Sequence, residues 1–117
     1  MALTRKYGKK AEEKACIYLK KKGYKIVERN WYFHKNEIDI IALDGETLVF
    51  VEVKSRSSGD FGMPEDSITF YKKQNIIKSA KGYIMMKRLF DINARFDVVA
   101  VFDEKIEHYK SAFTLDI

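Results

Sequence analysis

Asp39, Glu52 and Lys54 are the residues whose types and spacing could do chemistry. They lie in the stretch 37–54, where two apolar runs flank an Asp44-Gly45 turn signal, a strong local cue for a β-hairpin. Strand side chains alternate between faces, so Phe50, Glu52 and Lys54 share one face while Val49, Val51 and Val53 share the other. Loop length decides whether Asp39 joins the Glu52 face. A four-residue loop over 44–47 pairs Leu43 with Leu48 and sets Asp39 opposite Glu52. A two-residue loop pairs Asp39 with Phe50 and leaves Glu52 diagonal on the same face. A three-residue loop separates the two carboxylates across the sheet.

Two carboxylates ~4 Å apart repel by about 4 kcal/mol at an effective dielectric of about 20. A divalent cation removes that repulsion, and an all-oxygen site favours Mg²⁺ or Mn²⁺ over zinc. Metal-assisted phosphodiester hydrolysis uses such a set. Asp39 and Glu52 would hold one or two ions, with the Val53 carbonyl as a further ligand and Glu12 serving a second ion or its water shell. Lys54 would orient a water or stabilise the charge of the transition state. The plainer reading is a solvated sheet face on which Lys54 neutralises Glu52, and for an isolated acidic pair it is the preferred one. No serine or cysteine has a base at suggestive spacing, and no glycine-rich phosphate loop is present.

These residues need elements to position them. Residues 4–22 read as a helix, capped by Thr4 and stopped by Gly23, with Tyr7, Ala11, Ala15, Tyr18 and Leu19 on its apolar face. Glu12 sits at the margin of that face. A first strand is expected over 24–29, then a connecting turn over 30–36 carrying Trp31, Tyr32, Phe33, His34 and Lys35. Trp31 and Phe33 are expected to cover the core edge rather than stack on nucleotides, and His34 to be a surface histidine. After the hairpin, the polar loop 55–62 carries Arg56 beside Lys54 and could admit a phosphate backbone. Pro64 and Glu65 resemble a helix start and Ser67 a cap, for a second helix over 67–89. Its apolar face is Ile76, Ile77, Ala80 and Ile84; Lys72, Lys73, Lys78, Lys81, Lys87 and Arg88 crowd the rest. Strands over 96–102 and 106–110 follow, and 111–117 has too little pattern to assign. Helix, strand, hairpin, helix, hairpin is the order of an α/β sandwich with a mixed sheet.

A chain of 117 residues is expected to form one domain and to bury about two thirds of its unfolded surface. Its 22 basic and 17 acidic residues leave a net charge of +5, which suits a polyanionic partner such as nucleic acid. Cys16 is the single cysteine, so an intrachain disulfide is excluded and a reducing cytosol is the simplest home. Cys16, His34 and His108 do not make a zinc set. The chain lacks an apolar run near the length of a membrane span and a signal-peptide core, so it is expected to be neither exported nor membrane-spanning.

The Asp39, Glu52 and Lys54 pattern resembles the PD-(D/E)XK nuclease signature, which is short. A wider set is more specific: Gly8, Ala11, Glu12 and Ala15; Arg29-Asn30; Glu37-Ile38-Asp39 with Ile41-Ala42; the run 49–54 with Arg56; Lys72; the run 95–99; and Ala112-Phe113. Together these resemble the YraN-type family of uncharacterised bacterial proteins, predicted endonucleases similar in fold to archaeal Holliday junction resolvases. The resemblance covers nearly the whole chain. It implies a restriction-endonuclease-like sandwich, a central hairpin flanked by helices, and an active site of Glu12, Asp39, Glu52 and Lys54. With the residue reading it points to a Mg²⁺- or Mn²⁺-dependent endonuclease on DNA, branched or repair intermediates among its candidate substrates, and a homodimer by analogy. Lys72 matches a family lysine, while Arg56 of the polar loop and Lys73 of the basic helix are read as further contacts to the nucleic acid. Family members usually carry glycine where this chain has Asn36, a residue that tolerates positive φ. The competing expectations are a non-catalytic nucleic-acid-binding module on the same fold, and a purely structural salt bridge at Glu52.

Overall fold

The computed structural model describes residues 2–56 and 68–114, with side chains from residue 9 onward. The elements are α1 (Ala2–Lys21), β1 (Lys25–Phe33), β2 (Asn36–Asp44), β3 (Thr47–Ser55), α2 (Phe70–Met86), β4 (Ala94–Phe102) and β5 (Lys105–Phe113). The five strands form one mixed sheet in sequence order. β3 and β4 run parallel and the other neighbours antiparallel. A parallel pair requires a crossover, and α2 lies within it.

Each helix covers one face of the sheet. Ala11, Ala15, Cys16 and Leu19 of α1 pack over Ile40, Ala42, Val49, Val51, Val99 and Val101. Ile76, Ile77, Ala80 and Tyr83 of α2 pack over Ile41, Leu48, Phe50, Phe96 and Val98 on the opposite face. Central strands buried on both sides must be apolar at consecutive positions, and 48–51 and 98–101 are. The expected α/β architecture with a mixed sheet and two helices is therefore present. Among the described residues no helix is long and apolar enough to cross a membrane.

Helix ends are set by local chemistry. At the end of α1 the Gly23 N–H bonds the Lys20 carbonyl and the Tyr24 N–H bonds the Leu19 carbonyl, both at 3.0 Å, with Gly23 at φ 93°. This is the reciprocal C-terminal cap that glycine favours, and Leu19 and Tyr24 join the same apolar cluster below it. The Thr4 cap and the place of Tyr7 lie outside the described side chains. α2 begins later than its sequence suggests: the Lys72 N–H donates to Thr69 Oγ1 at 3.1 Å, so Thr69 is the cap. The alternatives at Pro64, Glu65 and Ser67 fall outside the described residues. α2 also ends earlier, at Met86, with Arg88 at φ 56° in the position glycine normally takes and the Leu89 N–H bonding the Ile84 carbonyl at 2.9 Å. Left-handed backbone costs a non-glycine residue about 1–2 kcal/mol, partly offset by glycine's greater unfolded freedom. Arg88→Gly is expected to raise stability by about 0.5–1 kcal/mol, read as a higher urea midpoint at unchanged slope.

Two segments differ from expectation. Residues 30–33 are not a turn but the second half of β1, because Trp31, Tyr32 and Phe33 are strong strand formers and a reversal over 34–35, with His34 at φ 57°, suffices. Asn36 is extended at the start of β2, so the positive φ falls on His34 instead. Trp31 meets Tyr83 edge-on at 5.2 Å between ring centroids and stacks on Phe33 at 6.1 Å, covering the core edge as expected. β5 continues past 110 to Phe113, which stacks on Phe96 at 4.7 Å. An irregular register opposite Asp97 and a positive φ at Ser111 break the alternation that would have marked this strand.

Candidate functional site

The β2–β3 hairpin pairs Leu43 with Leu48 and Ile40 with Val51, the register expected for a loop over 44–47. The reversal itself is tighter, over Gly45 and Glu46, with Gly45 at φ 62° and Asp44 opposite Thr47. One step beyond Ile40–Val51 the ladder stops, at Asp39 and Glu52.

The stop has a local cause. Ile40 belongs to the apolar cluster under α1 and Ile38 to the one under α2, although residues two apart on a strand share a face. Alternation is therefore broken at Asp39, and Asn30 between the neighbouring paired positions of β1 has φ 50°. Asp39 uses the break: its Oδ2 accepts the Val53 N–H at 2.8 Å, replacing a ladder bond with a carboxylate. Leu48 and Arg56 give their N–H groups to carbonyls on the β4 side, so the odd-numbered residues of β3 face β2. The Val53 carbonyl, which points the same way as its N–H, borders the gap Asp39 occupies.

Glu52 continues the Leu48 and Phe50 line on the α2 face, with its side chain only 6% exposed. Lys72 Nζ of α2 lies 3.4 Å from Glu52 Oε2, and Lys54 Nζ lies 3.9 Å from the same oxygen. Burial, and next the Glu52 charge, push the Asp39 carboxyl up to about 8 against the lowering effect of the Val53 N–H bond. The folded protein keeps a proton that the unfolded chain loses near its ordinary value of 3.8. Stability of the metal-free protein should thus fall as pH rises from about 4 to about 8 and level off above. Urea titrations at about pH 5 and about pH 9 check this, and Asp39→Asn should remove most of the difference.

Glu12 comes from the other side. Its Oε1 accepts from Asn30 Nδ2 at 2.8 Å on the α1 face, next to the Arg29–Glu13 pair at 3.0 Å. Its charge acts on Asp39 more weakly than that of Glu52. Among the described residues no three His, Cys, Asp or Glu side chains form a set that could hold a metal, so Glu12 stands apart from the Asp39–Glu52 pair. Two carboxylates beside a backbone carbonyl still fit Mg²⁺ or Mn²⁺, which commonly take only one or two protein carboxylates and keep waters. Lys73 Nζ lies 5.7 Å from the centroid of the Phe113 ring. Arg56 follows β3 directly, its N–H bonded to the Val101 carbonyl at 2.8 Å.

Sequence reasoning missed a second polar centre. Asp97, fully buried in β4, receives Arg95 Nε at 3.0 Å and the Ser111 N–H at 3.1 Å on Oδ1, and lies 2.8 Å from His108 Nε2 through Oδ2. Arg95 also reaches Asp44 at 3.0 Å and the Tyr24 hydroxyl at 2.6 Å, while Tyr18 Oη lies 3.1 Å from His108 Nδ1. With Asp97 ionised, His108 Nε2 donates to it, leaving Nδ1 to accept from Tyr18 in the neutral ring. A lone aspartate inside an apolar strand run is the signal that could have found this, because it demands buried partners.

A family model described as "Uncharacterised protein family UPF0102" matches residues 11–101. A UPF0102 protein of Persephonella marina is 44% identical over 109 residues, covering 93% of this chain and 94% of the relative. One from Flavobacterium psychrophilum is 46% identical over 117 residues, covering 97% and 98%. One from Thermodesulfovibrio yellowstonii is 49% identical over 107 residues, covering 91% and 94%. With a family match over most of its length and relatives aligned nearly end to end, the chain belongs to the UPF0102, YraN-type, family.

Proposed function

We propose that the protein is a Mg²⁺- or Mn²⁺-dependent endonuclease of the PD-(D/E)XK superfamily, with a restriction-endonuclease-like sandwich fold, acting on DNA in the cytoplasm. The observation that carries this reading is the bond from the Val53 N–H to Asp39. It holds a carboxylate, the Val53 carbonyl and Glu52 at the end of one ladder, with Lys54 on the Glu52 face. A divalent cation bound to these oxygens supplies charge neutralisation at the scissile phosphate and a water of lowered pKa. Asp39 and Glu52 would hold the ion, and the Val53 N–H fixes the Asp39 carboxylate. Lys54 places its ammonium where a phosphate oxygen gains negative charge. Lys72 and Arg56 contribute positive charge along the backbone of the nucleic acid, and a homodimer would serve two-strand cutting.

The test is a cleavage panel of duplex, single-stranded, flapped and four-way DNA with Mg²⁺ or Mn²⁺, run beside Asp39→Asn and Lys54→Ala. Cleavage lost in both variants while DNA binding persists supports the reading. Equal nicking by all three proteins overturns it. One observation favours a purely structural salt bridge at Glu52 instead: Lys72 already neutralises Glu52 from 3.4 Å. Calorimetry with Mn²⁺ separates the two, since a salt bridge alone, like a non-catalytic nucleic-acid-binding module, predicts no binding heat that depends on Asp39 and Glu52.

A further inference from the structure

At the start of α2 two large rings face solvent. Phe70 is 70% exposed and Tyr71 76% exposed, the two highest values among the exposed large hydrophobic side chains of the described residues. They occupy the first two positions of α2, directly before Lys72, whose ammonium meets Glu52 at 3.4 Å. Both rings therefore begin within one helical turn, ~5.4 Å, of a residue that touches the candidate metal pair. Neither is needed for the core, which α2 supplies through Ile76, Ile77, Ala80 and Tyr83. Among the described residues the charge next to them is positive: Lys72 and Lys73 follow directly, Lys54 meets the same Glu52 oxygen as Lys72, and the first turn of α2 holds no acidic residue.

We infer that Phe70 and Tyr71 form a stacking platform for unpaired bases, so that the ligand of this site is a nucleic acid single-stranded next to the bound phosphate. Exposed aromatic faces beside lysines are how single strands are held without regard to sequence: the rings take the bases and the ammonium groups the backbone. A continuous duplex buries its base faces in its own stack and offers these rings nothing but backbone. The platform selects for unpaired nucleotides and leaves the strand's sequence unread. This inference rests on the nucleic-acid reading above and narrows its substrate.

The experiment measures binding without metal, by fluorescence anisotropy of a labelled single strand and of the same bases closed into a duplex, with deoxyribose and ribose arms. Phe70→Ala/Tyr71→Ala is expected to weaken single-strand binding by about tenfold or more, since each stacked base is lost with its ring, and to leave duplex binding within about twofold. Both positions are exposed and alanine favours helix, so the fold should persist, with circular dichroism as the check. Tyr71→Trp should retain affinity, and its added emission should be quenched by the single strand. Equal losses for single strand and duplex, or none for either, would overturn the platform. The cleavage panel with Asp39→Asn reads the nuclease proposal separately. Metal-dependent cleavage that ignores the ring substitutions sinks this inference alone, while failure of the wild type to bind any nucleic acid sinks both.

Discussion

Lys54→Ala is expected to lower the single-turnover cleavage rate by on the order of a hundredfold or more, with DNA affinity changed only a few-fold. The asymmetry comes from when the charge is needed. A lysine among several basic groups adds little to ground-state binding, but one beside the phosphate acts on negative charge that grows in the transition state. Asp39→Asn should produce at least as large a loss by another route. Asparagine has about the same shape and can still accept the Val53 N–H, so the hairpin keeps its geometry while the cation loses a charged ligand. Raising Mn²⁺ should partly restore Asp39→Asn and leave Lys54→Ala unrepaired. If added Mn²⁺ rescues both variants equally, the two residues do not hold the separate roles assigned to them.

Asp97→Ala is expected to destabilise the protein by about 3–5 kcal/mol, the typical cost of removing one partner from a buried charge network. The substitution removes the acceptor of Arg95 Nε, of the His108 Nε2 side and of the Ser111 N–H together, leaving Arg95 only Asp44 and Tyr24 and His108 only Tyr18 among the partners named above. Burial pushes the Asp97 carboxyl up, but the hydrogen bonds from His108 and Arg95 outweigh it and hold the group below its ordinary value. A depressed folded value contributes stability above the unfolded pKa and loses it as pH falls through the folded one. Asp97→Ala should therefore weaken the wild type's dependence on pH in the acid range, below about pH 4. Urea denaturation at neutral and acid pH measures both effects, and a loss under about 1 kcal/mol would show the network to be dispensable.

The hairpin register was legible because a period-2 pattern permits few alignments, and the residues around Asp44-Gly45 allowed only three short loops. Which side of β2 Asp39 takes was not fully legible. Strict alternation puts it on the Glu52 face, whereas the break at Asn30 and Asp39 turns it toward the neighbouring strand, and nothing in the residue types announces an irregularity shared by two strands. The helices were readable from Ala11, Ala15 and Leu19 and from Ile76, Ile77 and Ala80, yet their ends were less so. Arg88 closes α2 where a glycine would have given notice, and Thr69 is one of several capping candidates in a row. Asp97 stood in plain view inside an apolar run, but His108 and Ser111 come to it from β5, and the network runs on through Arg95 to Asp44 at the end of β2 and through His108 to Tyr18 of α1, distances along the chain that no local pattern spans.

The parallel pairing of β3 with β4 imposes an order of assembly. Asp39 and Glu52 are brought together by closing a short local loop, whereas Lys72 reaches Glu52 only after the long crossover has swung α2 onto the sheet, and longer closures cost more entropy. The nascent hairpin must thus tolerate its two acidic groups without help, held by Ile40, Leu43, Leu48 and Val51 alone. Before the helices dock, both carboxylates keep their water, and the burial that pushes the Asp39 carboxyl up arrives only with docking, so the cost of the pair falls late in assembly.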